Sequence, residues 1–500
     1  MQNLDAQALR DFIAKYAKPY DSETDTYDRP PFTADIKEGK NDPIYNAHSY
    51  HTKVPPRGII PYILHYTEPG DVILDPFCGS GMMGVAALMC ANPPADLLEQ
   101  FPELKERVGV RYAILNDLSP AACHIAYNYT TPVDVEALRR EFERIKAAVK
   151  DEFDWLYGTE HYEPAVGLYD PKNPEVAAHL KNPLVDRESL HGASTLWDTP
   201  SEPTWELVKR AEVEHRLGFS VRKLTFKERP QDFDLTTIDQ WIVIPATIHY
   251  TVWSDVYPCQ GIVPIETPTG KVSTRGKNKG KPIVSKTQVG RGCGKTFTLW
   301  EAAIDLAAGE IAQRFECPHC HQLWEKRYLQ KSGETPVLVT YEYEGFVTNA
   351  RGQIVLKAIR LDRLPTNQEI RKLEELAVSP ISEWHPTQIL DMGREMMRYG
   401  MAKQRLCTIA DFWTPRNRRA MAVIWACIAK SASDRLRRAL QFVFTAIAFR
   451  VSRRRIVYCP PGGGWASTVI SGTLYIPSLN AEANVWESFC ERFQESWNLQ

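Results

Sequence analysis

The sequence lacks the features that would place a protein in or across a membrane. It has no run of about 18 consecutive apolar residues, so no transmembrane helix is expected. The first residues are mixed in charge and have no apolar core, which is unlike a secretory signal peptide. We therefore expect a cytoplasmic protein that has no membrane partner.

The sequence also lacks a strong overall charge. Lys and Arg number 60 against 62 Asp and Glu, giving a formal net charge of -2, so only local clusters can indicate a charged partner. Hydrophobic residues make up 43% and charged residues 24% of the chain, which is typical of soluble globular proteins. The 500 residues are enough for about three domains and for one complete enzyme.

Changes in composition divide the chain into five parts. Residues 1–46 form an irregular, partly Pro-containing lead-in, and residues 47–133 alternate helix and strand in the manner of an α/β sheet. A helical or mixed insert at 134–239 and a cysteine-bearing, β-rich module at 240–350 follow. Residues 351–500 are mainly helical in pattern.

Helical signals are clearest in the insert and in the last part of the chain. Apolar residues at helical spacing predict one long helix near 134–157. A capping box predicts a helix over 367–377. A Thr-Pro pair starts another at 415–430, and a further helix follows at about 434–451. The last predicted helix carries one aromatic stripe, which consists of Trp486, Phe489, Phe493 and Trp497.

A glycine-containing turn follows the first strand of the α/β part. The strand at residues 72–74 ends in the sequence DPFCGSG at residues 75–81. Open α/β sheets bind ligands beyond the carboxyl ends of their strands, and the two glycines allow a tight turn and a close approach to a ligand. A second strand ends near Asp117, where an acid is the usual acceptor for ribose hydroxyls. The pattern predicts a ligand site, with an ordinary structural turn as the alternative. A nicotinamide site is disfavoured because G-x-G-x-x-G is absent.

The turn resembles the S-adenosylmethionine-binding motif D-P-F-x-G-S-G of amino-group DNA methyltransferases, which methylate adenine N6 or cytosine N4. Two flanking motifs extend this likeness. The segment HSYHTKVPP at residues 48–56 resembles the family's lead-in segment, and NDLSP at residues 116–120 resembles its acidic second-strand motif. Three motifs in the family's order, over about 85 residues, make a specific signal.

The resemblance implies an α/β fold with a class I, Rossmann-like methyltransferase core and S-adenosyl-L-methionine as the cofactor. It implies that Asp75 and the 77–81 turn hold the methionine part, that Asp117 binds the ribose, and that Lys53 lies at the pocket's edge. The 42 residues from Asp75 to Asp117 exceed the usual spacing of about 20, which weakens the Asp117 assignment. The implied cofactor-binding residues are Lys53, Asp75, Pro76, Phe77, Cys78, Gly79, Ser80, Gly81 and Asp117.

The eleven cysteines indicate reduced thiols or metal ligands rather than a disulfide framework. Cys317 and Cys320 form a C-x-x-C turn, which supplies two ligands of a tetrahedral zinc site well. Cys259 and Cys293 are separated by 33 residues, and we expect that an insertion has split the second turn. The four cysteines predict a zinc-ribbon-like site, for which two histidines near the C-x-x-C turn are possible substitute ligands. Four free thiols in a β module are the alternative.

The stretch between the isolated cysteines is strongly basic. Residues 270–295 carry eight Lys or Arg residues and no acid. Such a cluster on a Gly-containing loop suits contacts with DNA phosphates, which position DNA without reading its bases. A solvated loop without a partner is the alternative. The candidate DNA-contact residues are Lys271, Arg275, Lys277, Lys279, Lys281, Lys286 and Arg291.

Cys259 also allows a different chemistry. It lies in the sequence Pro-Cys-Gln, which resembles the nucleophile motif of cytosine-C5 methyltransferases, where a thiolate attacks the base. No Glu-Asn-Val partner motif is found, and the cofactor turn is of the amino-methyltransferase type. Zinc ligation is therefore preferred for Cys259.

One expected motif, D/N-P-P-Y/F/W, is missing from the sequence. In amino methyltransferases it accepts the N–H groups of the target amine and stacks on the flipped base. The nearest approximations, at 28–32, 41–45, 92–95 and 459–462, all depart from it, so the catalytic residue is unknown. We therefore expect an incomplete core, which forms the cofactor-binding and DNA-recognition part of such an enzyme.

The catalytic half would lie on a second polypeptide or be lost by truncation. The terminal aromatic stripe would pack on that half or on the chain's own core. A DNA-binding accessory subunit with a vestigial cofactor site is the main competing hypothesis, and methylation of RNA or protein is a third.

Overall fold

The computed structural model divides the chain into two compact units. The first is drawn from Met1–Ala148, Ile424–Ala448 and Phe489–Gln500, and the second from Val149–Val423 and Phe449–Ser488. The structure describes residues 6–17, 20–37, 42–50, 53–164, 206–221, 239–262, 266–274, 280–286, 289–305, 310–348, 351, 354–390, 393, 406–458, 466–470 and 474–497.

The helices occur mainly at the two ends of the described chain. In order they are α1 (Ala6–Tyr16), α2 (Pro43–Asn46), α3 (Pro56–Tyr66), α4 (Met82–Met89), α5 (Ala95–Gln100), α6 (Pro120–Thr130), α7 (Val135–Tyr157), α8 (Arg210–Leu217), α9 (Leu299–Ala303), α10 (Asn367–Val378), α11 (Pro415–Ala429), α12 (Asp434–Ala448) and α13 (Val485–Trp497). Of the residues that the structure describes, no helical stretch combines the length and apolar character that crossing a membrane requires.

The strands are concentrated in the middle of the chain. In order they are β1 (Val72–Asp75), β2 (Tyr112–Leu115), β3 (Gly158–Pro164), β4 (Glu206–Lys209), β5 (Gln240–Ile262), β6 (Glu266–Val272), β7 (Pro282–Lys286), β8 (Val289–Thr298), β9 (Ile304–Asp305), β10 (Glu310–Ile311), β11 (Arg314–Glu316), β12 (Leu323–Glu325), β13 (Gly333–Thr348), β14 (Ile354–Arg363), β15 (Arg455–Tyr458), β16 (Ala466–Val469) and β17 (Leu479–Ala483).

The first unit contains the parallel strand pair that the sequence predicts. Strands β1 and β2 run parallel, with Val72 opposite Tyr112 and Asp75 opposite Leu115. Helices α3 and α4 enclose an apolar cluster that includes Ile60 and Ala86. Parallel pairing of this kind needs a crossover connection, which the chain between the strands supplies. The α/β interpretation of this part is therefore confirmed.

Residues 20–37 of the lead-in are irregular but attached to α3, whereas residues 6–16 and 43–46 form α1 and α2, so the expectation of an irregular segment over all of 1–46 is wrong. The hydroxyl of Tyr27 donates to the carbonyl of Tyr66 at 3.1 Å, and the backbone N–H of Phe32 donates to the Tyr66 hydroxyl at 2.8 Å. The Phe32 ring packs edge-on against Tyr62, with a centroid distance of 4.9 Å. Side-chain contacts thus hold a segment that has little regular structure of its own.

The second unit is organised around β5, the 23-residue strand at its centre. Strands β4 and β13 pair with one edge of β5, whereas β3, β17 and β8 pair with its other edge, all antiparallel. Strand β14 extends the sheet from β13, and β15 and β16 extend it from β17. The sheet therefore joins segments that the sequence interpretation assigns to three different parts.

A buried ion pair links this sheet to the start of α11. The carboxylate of Glu482 on β17 accepts from the Arg416 guanidinium at 2.7 and 3.1 Å and from the Trp253 indole N–H at 2.8 Å. The Thr414 hydroxyl donates to the same carboxylate, and Arg416 also donates to the Thr251 hydroxyl at 2.6 Å. Arg416 and Glu482 are 1% and 2% exposed, so water cannot stabilise either charge.

The predicted helices are found, with shifts of one to three residues at their ends. Helix α7 covers 135–157, and α10 begins at a capping box that Thr366 and Glu369 form. Helices α11 and α12 match the two further predictions, although α12 ends at Ala448 rather than near Val451.

The aromatic stripe of α13 packs on the chain itself. In the first unit the Phe493 ring stacks on Phe142 at 3.9 Å between centroids, and in the second unit Trp486 packs on Phe153 at 5.6 Å. Of the two expectations for this stripe, packing on the chain's own core is confirmed for these residues. The side chain of Trp497 lies outside the described residues.

We expect Glu482→Gln to lower the free energy of unfolding by about 3–5 kcal/mol, because it leaves a buried guanidinium without its anionic partner. Urea unfolding followed by circular dichroism measures this change. The matched control is Glu152→Gln, which removes the partner of Arg419 from a pair whose side chains are both 28% exposed. The control is expected to cost less than about 1 kcal/mol, and equal losses from the two variants would contradict the prediction.

Candidate functional site

The glycine turn lies directly beyond the carboxyl end of β1. Gly79 and Gly81 both adopt positive φ angles, of 51° and 80°, which side-chain-bearing residues rarely accept. A Cβ at Gly81 would lie only 2.7 Å from the Cβ of Ala126 on α6, so a larger residue cannot occupy this position without movement of α6. Both glycines therefore allow the turn, and Gly81 also allows the close approach of α6.

Hydrogen bonds join this turn to the loop that follows β2. The backbone N–H of Cys78 donates to the Asn116 carbonyl at 2.9 Å, and the N–H of Gly79 donates to the Asp117 carboxylate at 2.9 Å. The Asn116 N–H donates to the Asp75 carbonyl at 2.9 Å. Asp75 and Asp117 thus lie at the same edge of the parallel pair despite the long spacing between them.

The side chains of the turn divide into exposed and buried groups. Phe77 is 83% exposed, and Leu118 beside Asp117 is 95% exposed. Cys78 and Ser80 are buried, and burial raises the pKa of the Cys78 thiol to about 12. Cys78 and Ser80 can therefore act on a ligand only through their backbone, whereas Phe77 and Leu118 offer apolar side-chain surface.

The ammonium of Lys53 lies against the lead-in rather than against the turn. It donates to the carbonyls of Tyr45 and His48, the latter at 2.7 Å, and it lies 4.2 Å from the Tyr45 ring centroid. Burial, together with the charge of Arg492, lowers the pKa of Lys53 to about 8. These contacts fix the chain around Tyr45 and His48, and the expected position of Lys53 at the edge of the cofactor pocket stays a prediction.

Tyr50 belongs to the site although the sequence does not single it out. A Cβ at Gly79 would lie 3.0 Å from Cε1 of Tyr50, so the ring lies against the turn. Its position in the HSYHTKVPP segment was the available signal, because that segment as a whole resembles a cofactor-supporting motif.

A second candidate site, in the second unit, brings all four predicted cysteine ligands together. The sulfurs of Cys259, Cys293, Cys317 and Cys320 all lie within 4.8 Å of one another. The Cys259–Cys320 and Cys293–Cys317 sulfur distances are 3.6 and 3.9 Å. Four sulfurs bound tetrahedrally at the usual Zn–S length of about 2.3 Å would be about 3.8 Å apart.

The chain is shaped locally to bring these cysteines together. Cys259 and Cys293 lie on the paired strands β5 and β8, and a Cβ at Gly292 would be 2.2 Å from the Cys259 sulfur. Residues directly after two of the cysteines, Gly294 and His321, have positive φ angles of 74° and 59°. The remaining two cysteines lie in the turn between β11 and β12.

Nearby N–H groups donate to the sulfurs, whereas the rings of the two histidines bond elsewhere. The indole N–H of Trp324 donates to the Cys259 sulfur at 3.3 Å, and the backbone N–H of His319 donates to the Cys317 sulfur at 3.4 Å. The His319 ring contacts the carbonyl of Thr296, and His321 pairs with an acid. The sulfur-only donor set is thus already complete, and such N–H groups are typical partners of metal-bound thiolates.

The environment of Cys259 bears on its alternative role as a nucleophile. Its side chain is 0% exposed and lies among the other three sulfurs. Burial raises the pKa of its thiol to about 12. A cytosine ring could not reach a sulfur in this position, so the geometry favours metal ligation over attack on cytosine.

Most of the basic stretch lies in the sequence between two of the clustered cysteines, Cys259 and Cys293. Strands β6 and β7 form an antiparallel pair between Cys259 and Cys293. We call the chain between these two cysteines the basic excursion, and the side chains of Lys271 and Lys281 on it are exposed. Arg275, Lys277 and Lys279 lie outside the described residues. Lys286 and Arg291 lie on β7 and β8, but their side chains are outside the described part of the chain.

Comparison with known proteins supports the resemblance of the first part of the chain. Residues 4–126 match the model of the family N6_N4_Mtase, which is described as DNA methylase. This range covers about a quarter of the 500 residues and contains all three motifs of the predicted resemblance. The predicted likeness of the N-terminal part to amino-group DNA methyltransferases is thereby confirmed. No curated protein and no solved structure matches the chain.

Proposed function

We propose that this chain is the cofactor-binding and DNA-recognition part of an S-adenosylmethionine-dependent DNA methyltransferase that modifies the exocyclic amino group of adenine or cytosine. The observation that carries the proposal is the DPFCGSG turn at the carboxyl end of β1, within the residues that match a DNA methylase family. A cofactor alone does not explain the four-cysteine cluster or the basic excursion, which we assign to DNA recognition.

The residues around the turn fit the proposed cofactor. Asp75 can accept hydrogen bonds from the ammonium of the methionine part, and Asp117 can accept from ribose hydroxyls. The exposed side chains of Phe77 and Leu118 offer apolar surface for an adenine ring. Bound S-adenosylmethionine would supply an electrophilic methyl group, while these residues would bind and orient it.

We expect titration calorimetry to detect binding of S-adenosylmethionine to the purified chain. Asp75→Asn should weaken binding at least about tenfold, because a carboxylate that pairs with the ammonium is replaced by a neutral amide. The control is Asp96→Asn, an exposed acid paired with Arg57 and distant in sequence from the turn. If the unmodified chain binds no cofactor, the accessory-subunit hypothesis replaces the enzymatic one.

We further propose that the four cysteines hold one structural Zn²⁺ ion. The sulfur distances and the all-thiolate donor set support tetrahedral zinc, because soft ligands in this number are typical of closed structural sites. The site would join β5 and β8 to the turn between β11 and β12. It would thus fix the base from which the basic excursion extends.

We expect elemental analysis to find about one zinc ion per chain. Cys317→Ser should abolish stoichiometric zinc and lower the thermal midpoint of unfolding, since metal binding contributes to folding. Cys407→Ser changes an exposed cysteine outside the cluster and should retain both properties. Full zinc content in the Cys317 variant, or none in the unmodified chain, would contradict the proposed site.

The basic excursion supports a DNA partner. Eight cations without an acid at 270–295 form a local positive field that the net charge of -2 conceals. Its connection to a rigid sheet at Cys259 and Cys293 suits phosphate contacts that must hold one orientation.

Replacing both Lys271 and Lys281 by Gln should weaken DNA binding and reduce its salt dependence. Each lost phosphate contact lowers the slope of log K against log salt by about 0.9, so the double variant should lose up to about 1.8. Fluorescence anisotropy over a range of salt concentrations measures this slope. Lys357→Gln, an exposed charge on β14, should leave the slope unchanged. An equal loss of slope in the double variant and in the Lys357 variant would contradict the prediction, because it would indicate attraction by the overall charge and not by this stretch.

The proposal includes a catalytic part that this chain lacks, on a second polypeptide or a separate region. In support, the D/N-P-P-Y/F/W motif is missing, and none of the residues of β1 and β2 is fully buried. Parallel sheets normally have both faces covered, yet Leu74 on β1 is 65% exposed. A further part of the sheet, which would carry the motif, would cover this surface. Methylation of DNA by the purified chain alone would contradict this part of the proposal.

A further inference from the structure

We propose that Asp117 is a positioning residue, which holds the glycine turn of residues 75–81 in its binding shape before any cofactor arrives. The inference rests on the proposed function, because it concerns the same cofactor site. It adds a role to the ribose contact that the family resemblance implies for this residue. The two roles differ in one respect: the positioning role operates in the empty protein.

Both oxygens of the Asp117 carboxylate accept backbone N–H groups. Oδ2 accepts from Gly79 at 2.9 Å, and Oδ1 accepts from Ser119 at 2.8 Å. The first bond crosses from one loop to the other, over 38 residues of sequence, and the second fixes the carboxylate on its own loop. The Asp117 carboxylate therefore bridges the loops that follow β1 and β2.

This bridging contact is made at Gly79, where the backbone of the turn has an unusual conformation. Gly79 has a φ angle of 51°, and the ring of Tyr50 lies against it. The other contacts across the loops are uncharged: the Cys78 N–H bonds to a carbonyl, and the Asn116 side chain donates to the Pro76 carbonyl at 3.3 Å. The Asp117 bond involves an ionised acceptor, and such bonds are stronger than neutral ones.

The charge of Asp117 is compatible with this role. The N–H groups of Ser119 and Gly79 lower the pKa of its carboxyl group, so the ionised form is present at neutral pH. A carboxylate has about four lone-pair sites, and two are occupied here. Asp117 can therefore hold the turn and still accept ribose hydroxyls.

The substitution Asp117→Asn separates the two roles. Asn has the same shape, but its single amide oxygen replaces two acceptors and its NH₂ group cannot accept from an N–H. It must release Gly79 or Ser119. We expect amide hydrogen exchange of the cofactor-free protein to quicken about tenfold in peptides covering residues 77–81 or 117–120. Mass spectrometry of the exchanged peptides measures this effect.

The control is Asp71→Asn, which changes a carboxylate at the opposite end of β1 that accepts the Glu68 N–H at 2.7 Å. It should leave exchange at residues 77–81 unchanged. If the Asn variant does not fold, Asp117→Glu takes its place in the test. This variant keeps the charge but moves it by one methylene, and it should also exchange faster. Circular dichroism verifies folding of each variant.

Unchanged exchange in folded Asp117 variants would overturn the proposal, even if their cofactor affinity falls, because Asp117 would then act on the ribose alone. Faster exchange in the Asp117 variants with unchanged exchange in the Asp71 control supports it. A chain that shows this exchange pattern but binds no S-adenosylmethionine would refute the proposed function while leaving the positioning role intact.

Discussion

A charge that water cannot reach must be matched within the protein, and in the second unit that requirement is met at Glu482. Its carboxylate collects donors from Arg416 and Thr414 at the start of α11 and from Trp253 on β5. These contacts fix β17 against β5 in one register, because a slip by one residue would turn Glu482 to the opposite face. Further along β5 lies Cys259, so the same strand carries the ion-pair partner and the first proposed metal ligand. The buried pair thus helps to fix the strand that carries the first proposed metal ligand.

In the first unit the candidate site is organised by backbone geometry. Its two strands are short, and what brings the motifs together is parallel pairing that ends at the same level, at Asp75 and Leu115. The loops beyond these ends are then bonded to each other by N–H groups of the glycine turn. This explains how two acids separated by 42 residues can belong to one site. The additional residues between the strands form α4, α5 and a 3-10 turn, which leave the strand ends in place.

Local signals predicted local structure well, and they failed where a partner is distant in the chain. The apolar stripe of α7 and the capping box of α10 are complete within a dozen or two residues, and both helices are found. The contribution of β3 and β4 to the sheet was not predictable, because their pairing with β5 involves segments far apart in sequence. For the same reason Lys53 could be placed near the cofactor motif, but its carbonyl partners could not be foreseen. The cysteines are an intermediate case, since their chemistry predicted a cluster while the pairing of β5 with β8 was needed to close it.

The proposed zinc site and the basic excursion must cooperate through orientation and not through charge. Four thiolates with one Zn²⁺ carry a net charge of about -2, whereas the metal-free, protonated cluster is neutral. Metal binding therefore makes the base of the excursion more negative, which by itself opposes attraction to DNA phosphates. A contribution of zinc to DNA recognition would then come from holding β5 and β8 together at Cys259 and Cys293, between which Lys271 and Lys281 lie in the sequence.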